Sequence, residues 1–82
     1  MYYFFMPKAI VLMNAELGHE NNLVAELKKT PHVSEVYAVY GVYDVLVKVE
    51  ADSMEKLRDT IATKLRRLEG VKSTLTMIIV EK

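Results

Sequence analysis

Tyr40-Gly41-Val42-Tyr43-Asp44 is the segment of this 82-residue chain whose residue types suit the capture of a small charged molecule. A carboxylate follows a tight turn and sits among tyrosines. Asp44 could accept from an ammonium while the turn N–H groups donate to an α-carboxylate, which together fit a small zwitterion. A plainer role stands beside that one, because an Asp next to a turn often bonds its own turn backbone. Residue types alone leave both roles open.

Other chemistry is sparse. Gly18, Gly41 and Gly70 lie far apart and each adjoins a turn, so there is no glycine-rich phosphate loop. His19, Glu20 and His32 match no common metal-ligand spacing and fall in polar connections, where solvated surface is the expected fate. Ser34 and Ser53 have no histidine partner suggested by the sequence. Glu50, Asp52 and Glu55 read as a helix start complementing its dipole. Lys64, Arg66 and Arg67 could touch an anion, although a basic helix end is also what the dipole favours. No catalytic residue, metal or cofactor is expected.

The totals narrow the classes further. Eleven basic residues balance eleven acidic ones, which argues against direct nucleic-acid binding, since that requires a basic surface to displace counterions. No cysteine is present, so there is no disulfide frame. No apolar run approaches the roughly 20 residues of a membrane span. Met1 to Phe5 is too short for a signal peptide and lacks a basic flank, so the expected location is cytoplasmic. Residues 1–7 read as an N-terminal extension, with Met6 as an alternative start, and residues 8–82 as one domain. The rival reading makes Met1 to Phe5 an added pairing segment over a sheet edge.

The elements that must position the turn come from a loose internal doubling. Glu20 to Tyr40 and Ser53 to Val80 each read as an amphipathic helix, a stop, then a strand. Ala9 to Met13 is apolar without alternation, as expected of an interior strand buried on both faces. The first helix spans Glu20 to Lys29, with Leu23, Val24 and Leu27 on one face, and Thr30-Pro31 stops it. Strands follow at Val33 to Tyr40 and Tyr43 to Glu50, joined by a two-residue turn at Gly41-Val42. Asp52 or Ser53 caps the second helix, whose stripe is Met54, Leu57, Ile61, Leu65 and Leu68, and Gly70 ends it. The last strand runs from Lys72 to Glu81.

This β-α-β-β-α-β order with right-handed crossovers implies an α+β, ferredoxin-like fold: a four-stranded antiparallel sheet, order 4-1-3-2, with both helices on one face. The other face then collects Val11 or Leu12, Leu46, and either Met77 and Ile79 or their neighbours. At about 25 cal/mol per Å² of apolar area, covering a few hundred Å² contributes on the order of several kcal/mol before association costs. A homodimer with its sheets face to face is therefore expected, a dimeric α/β sandwich or barrel. The alternative is that Tyr37, Tyr40, Tyr43 and the N-terminal aromatics fold over the patch.

The stretch VYAVYGVYDVLVKV (36–49), with DSMEKL (52–57) and LxxLEGVKSTLTMIIV (65–80), resembles the effector (RAM) domain of the Lrp/AsnC, or feast/famine, transcriptional regulators. The resemblance runs from about Lys8 to Glu81, and its G-x-Y-D turn and G-V-x-x-T-x-T strand are fairly specific only as a pair. It implies dimers formed through the sheets, commonly rings of eight, and an amino-acid effector bound between dimers near the turn. By that resemblance Gly41, Val42, Tyr43 and Asp44, with Thr74 and Thr76, are the ligand-binding positions. Asp44 would hold the ammonium, and Gly41 would let the ligand approach the backbone. Family regulators carry a helix-turn-helix domain before this one, whereas at most seven residues precede it here. The expected function is thus an amino-acid-binding oligomeric regulatory module that co-assembles with full-length regulators. Two alternatives are kept. One is a small dimeric ferredoxin-like enzyme, a cofactor-free oxygenase or isomerase, with a pocket between helices and sheet lined by Tyr37 or His32. The other is a structural partner that takes no ligand.

Overall fold

Ala9, Val11, Met13 and Ala15 alternate with residues that face the other way, and this parity decides which side of the sheet the helices cover. The computed structural model describes residues 6–80. Strand β1 (Lys8–Ala15) leads to helix α1 (Glu20–Lys28), strands β2 (Val33–Ala38) and β3 (Val45–Glu50), helix α2 (Met54–Asp59) and strand β4 (Val71–Ile78). Helix α2 continues without a break into a π-helical turn at Thr60–Leu65. The sheet order is β2-β3-β1-β4 with every pairing antiparallel, the arrangement expected from the crossovers. The contrary reading of residues 1–5 as an edge-pairing segment concerns residues outside those described.

The core forms between the sheet and the helices. Val45, Val47 and Val49 of β3 meet the buried residues of β1, while Leu23 and Leu27 of α1 and Leu57, Ile61 and Leu65 of α2 and its π turn close over them. Ser53 caps α2, its hydroxyl accepting from the Lys56 N–H at 3.1 Å. Two corners need unusual backbone. His32 adopts φ 74° where α1 gives way to β2. Gly70 takes φ 95° under the His19 ring, and a Cβ there would lie 2.8 Å from the His19 Cβ, so only glycine fits.

Several boundaries depart from expectation. Strand β1 is not enclosed on both faces within the chain: Ile10 and Leu12 are half-buried and point away from the helices. The apolar run had hidden the alternation because both sets of side chains are apolar. The β2–β3 connection is not a two-residue turn, since β2 ends at Ala38 and β3 begins at Val45. Leu68 lies past the helical turns, because the π turn finishes the helix at Leu65.

The face away from the helices carries Ile10, Leu12, Leu46, Leu75, Met77 and Ile79, aligned by register across β1, β3 and β4. Leu75, Met77 and Ile79 are 44%, 45% and 39% exposed, a contiguous apolar surface rather than scattered side chains. A polar group borders it on the β2 side. Tyr37 donates to Glu35, whose carboxylate also lies 3.6 Å from the Lys48 ammonium. Tyr37 therefore lies on this bare face and lines no pocket under the helices, against the expectation attached to an enzyme.

Two outcomes follow from this packing. Leu57→Ala should cost about 2–5 kcal/mol by emptying a fully buried site, and Ser53→Ala about 1 kcal/mol, both read by denaturant unfolding at fixed chain concentration. The second concerns pH. The Tyr37 hydroxyl first, then the Lys48 ammonium, hold Glu35 below the usual 4.5, and the same hydrogen bond raises Tyr37 above 10.0. The favourable Glu35 contribution is present above the unfolded value and fades as pH falls through the lowered folded one; that of Tyr37 is present below 10.0 and fades as pH rises through its raised value. In Tyr37→Phe the Glu35 titration midpoint, followed by carbon NMR, should move up towards 4.5.

Candidate functional site

The alternation of β1 points the Ala15 N–H towards β3, yet β3 begins only at Val45 and offers it no ladder partner. The Asp44 carboxylate fills that place: Oδ2 accepts from the Ala15 N–H at 2.9 Å. The Asp44 N–H donates to the Met13 carbonyl at 2.9 Å, and the Asp44 carbonyl accepts from the Val39 N–H at 2.9 Å. Three hydrogen bonds thus fix Asp44 at the end of the sheet and close the 39–44 loop. The carboxylate bonds β1 across the sheet, not its own turn. Asp44 is half-buried, and Oδ1 remains able to accept from a ligand.

The loop in front of Asp44 is open. Gly41 and Val42 are exposed, and a Cβ on Gly41 would meet nothing within 4 Å. The chain itself therefore does not crowd the backbone here, and an incoming group can reach it. Tyr43 is half-buried beside Asp44.

Thr74 and Thr76 stand across β1 from this loop. Met13, whose carbonyl receives the Asp44 N–H, pairs with Val45 on one side and Thr74 on the other, so Asp44 lies one residue beyond the level of Thr74 across the strand. Their backbones are about 10 Å apart, two strand spacings. Thr76 pairs with Val11, one step further into the sheet. Both threonines lie on the helix-side face, Thr74 half-buried and Thr76 exposed. The structure thus brings Asp44, Tyr43 and Thr74 to one end of the sheet and leaves Thr76 further in.

The same end carries exposed apolar side chains, of which sequence reasoning passed over Leu17. Leu17 is 94% exposed in the β1–α1 connection, and Tyr40 and Val42 project fully from the 39–44 loop. Leu17 was legible as a lone large apolar residue in a polar connection. The structure adds that it lies at the end where Asp44 is anchored.

Among the described residues, no group of three or more His, Asp or Glu side chains could hold a metal ion. No helix among them is long and apolar enough to cross a membrane.

Comparison with known proteins agrees with this architecture. The sequence model of the Lrp/AsnC ligand binding domain matches residues 8–82. The HTH-type transcriptional regulator FL11 of Pyrococcus furiosus is 32% identical over 73 residues, which are 89% of this chain and 48% of the regulator. The chain thus spans about half the length of that relative. The crystal structure of FFRP-DM1 superposes with a TM-score of 0.86 at 38% identity, covering 90% of this chain and 99% of that one. The fold alone is shared with the transcriptional regulator NMB0573 of Neisseria meningitidis, solved as an L-Met complex: TM-score 0.81 at 17% identity, over 93% of this chain and 51% of that one. Such domains are regulatory, not enzymatic. The family match over residues 8–82, on a βαββαβ sheet shared with solved relatives, shows that this chain belongs to the Lrp/AsnC ligand-binding domain family.

Proposed function

We propose that this chain is an oligomeric regulatory module that binds a free amino acid at the sheet end marked by Asp44. It acts in transcription regulation or metabolic sensing by co-assembling with full-length Lrp/AsnC regulators, and it does not bind DNA itself. The observation that carries this reading is the state of Asp44. Its carboxylate is held in place by the Ala15 N–H while one oxygen is left to accept an ammonium. Gly41 and Val42 present open backbone to an α-carboxylate, Tyr43 borders the site, and Thr74 and Thr76 supply hydroxyls across β1. The L-Met bound to the neisserial regulator is a ligand of the proposed class.

Assembly completes the site in this proposal. The bare sheet face of Ile10, Leu12, Leu46, Leu75, Met77 and Ile79 is covered by a second copy, sheet against sheet. Leu17, Tyr40 and Val42 surround the loop with apolar surface that a neighbouring dimer would cover in a ring. A ligand enclosed between dimers binds one assembly better than another, and a tenfold preference corresponds to about 1.4 kcal/mol of coupling. Zero net charge supports the absence of direct nucleic-acid contact.

Calorimetry against the twenty amino acids should find at least one that binds and that changes the assembly mass in the ultracentrifuge. Asp44→Asn keeps an oxygen for the Ala15 N–H but removes the charge. It should weaken that amino acid at least tenfold while leaving the melting temperature within a few degrees. Equal binding by the variant would remove the assignment of Asp44. Silence from every amino acid, with no change in mass, would remove the function.

A further inference from the structure

Two irregularities of the described backbone border the same groove; a third, the register shift between Val33 and Glu35 in β2, lies elsewhere. The first is the π turn at Thr60–Leu65, after which the Arg66 N–H donates to the Ile61 carbonyl at 3.1 Å, five residues back. The second is a bulge at the start of β4. Asn14 pairs with Ser73 but Ala15 with Val71, so Lys72 is an extra residue in the strand. π turns and bulges interrupt regular hydrogen bonding, and both recur where a side chain has to be re-aimed at a functional site. Here they flank an open groove of about 210 Å³ lined by Arg66, Val71, Lys72, Ser73 and Thr74.

The lining is cationic and rich in donors. It contains no acidic residue. Lys8, Lys29, Lys48 and Lys56 each have a carboxylate within 4.0 Å; Arg66 and Lys72, like Lys28, Arg58, Lys64 and Arg67, have none among the described residues. The main chain adds to the donors. The Ile79 N–H donates inward to the Lys8 carbonyl, so by alternation the Ser73, Leu75 and Met77 N–H groups also face β1. The Thr74 N–H therefore faces outward, on the edge strand of the sheet that the described residues form. Thr74 itself sits on the helix side, where Arg66 leaves the π turn. A fork of guanidinium donors, an ammonium, a hydroxyl and an outward N–H around one recess match an oxyanion bearing two negative charges. A basic helix end complementing its own dipole would explain Arg66 alone; it does not explain the bulge or Lys72.

We infer that the groove between Arg66 and the bulged start of β4 is a second ligand site, which takes a small dianion: a phosphate group or a dicarboxylate. It lies on the β4 side of β1, whereas the Asp44 loop lies on the β3 side, and Thr74 is the residue the two share. The inference does not require that an amino acid bind at Asp44.

The test is a titration of the full chain with inorganic phosphate, glutarate and acetate, followed by amide NMR at constant ionic strength. The amides of Arg66 and Val71 to Thr74 should shift and saturate with phosphate or glutarate, and acetate should bind at least tenfold more weakly. Tighter phosphate would assign the site to a phosphate group, and tighter glutarate to a dicarboxylate. Arg66→Gln and Lys72→Gln alter exposed side chains, so both should keep the parent spectrum elsewhere while each weakens the dianion at least tenfold. Asp44→Asn should leave its affinity unchanged. Acetate binding as tightly as the dianions, shifts that never saturate up to tens of millimolar, or full affinity in both groove variants would each overturn the proposal.

Discussion

Two helices can cover one face of a four-stranded sheet and no more, and the rest of this molecule is arranged around that shortage of cover. Val45, Val47 and Val49 alternate with Leu46, Lys48 and Glu50, so β3 sends a wholly apolar set to the helices and a mixed set away from them. Strand β1 is apolar on both sides, with Val11 and Met13 inside and Ile10 and Leu12 outside. A chain of this length buries only roughly 60% of the surface its unfolded form exposes. It therefore has little internal stability to spare for a wet apolar face, and the proposed face-to-face assembly answers that physical problem. The Glu35, Tyr37 and Lys48 group borders the apolar strip with directional contacts. Exposed as it is, this group adds little stability; such contacts are better suited to fixing how two faces align than to holding them together.

The sheet end follows the same logic on a smaller scale. Strand β1 outruns β3, which leaves the Ala15 N–H without a ladder partner, and a side-chain carboxylate takes the missing place. Asp44 is thereby oriented by the fold itself, so that the proposed ligand would meet a carboxylate already held in place. Preorganisation of this kind removes part of the entropic cost of binding. The neighbouring loop residues stay open because nothing among the described residues covers Tyr40 or Val42. One stretch of chain thus combines an anchored carboxylate with exposed apolar surface, the combination on which the proposed coupling of ligand to assembly rests.

Much of the fold was legible. The Leu57, Ile61 and Leu65 stripe and the Ser53 cap stand where local periodicity and turn chemistry put them. These features depend on near neighbours in sequence, and the chain states them directly. Gly70, by contrast, does not cap the helix, which ends at Leu65 with Arg66 as its C-cap; it instead turns the chain into β4 with a positive φ. The 39–44 loop was less legible, since Gly41-Val42 looks like a tight hairpin turn while the real ends at Ala38 and Val45 are set by how far β1 and β3 overlap. Helix α2 carried an unbroken helical stripe, yet it switches to π geometry at Thr60, and nothing in the spacing marks the change.

The chain by itself determined its elements, their order and the family pattern at residues 41–44 and 70–76. Those rest on side-chain periodicity, helix caps and turn residues, which act over a few positions. Only the tertiary structure decided that Asp44 bonds Ala15 instead of its own turn, that Thr74 stands across β1 within one residue of its level, and that Tyr37 lies on the bare face. It also decided that Lys72 is an extra residue in a strand. Each of these is a matter of register between strands distant in sequence. Shifting a pairing by one residue turns every side chain to the opposite face, so such facts do not exist until the sheet has formed.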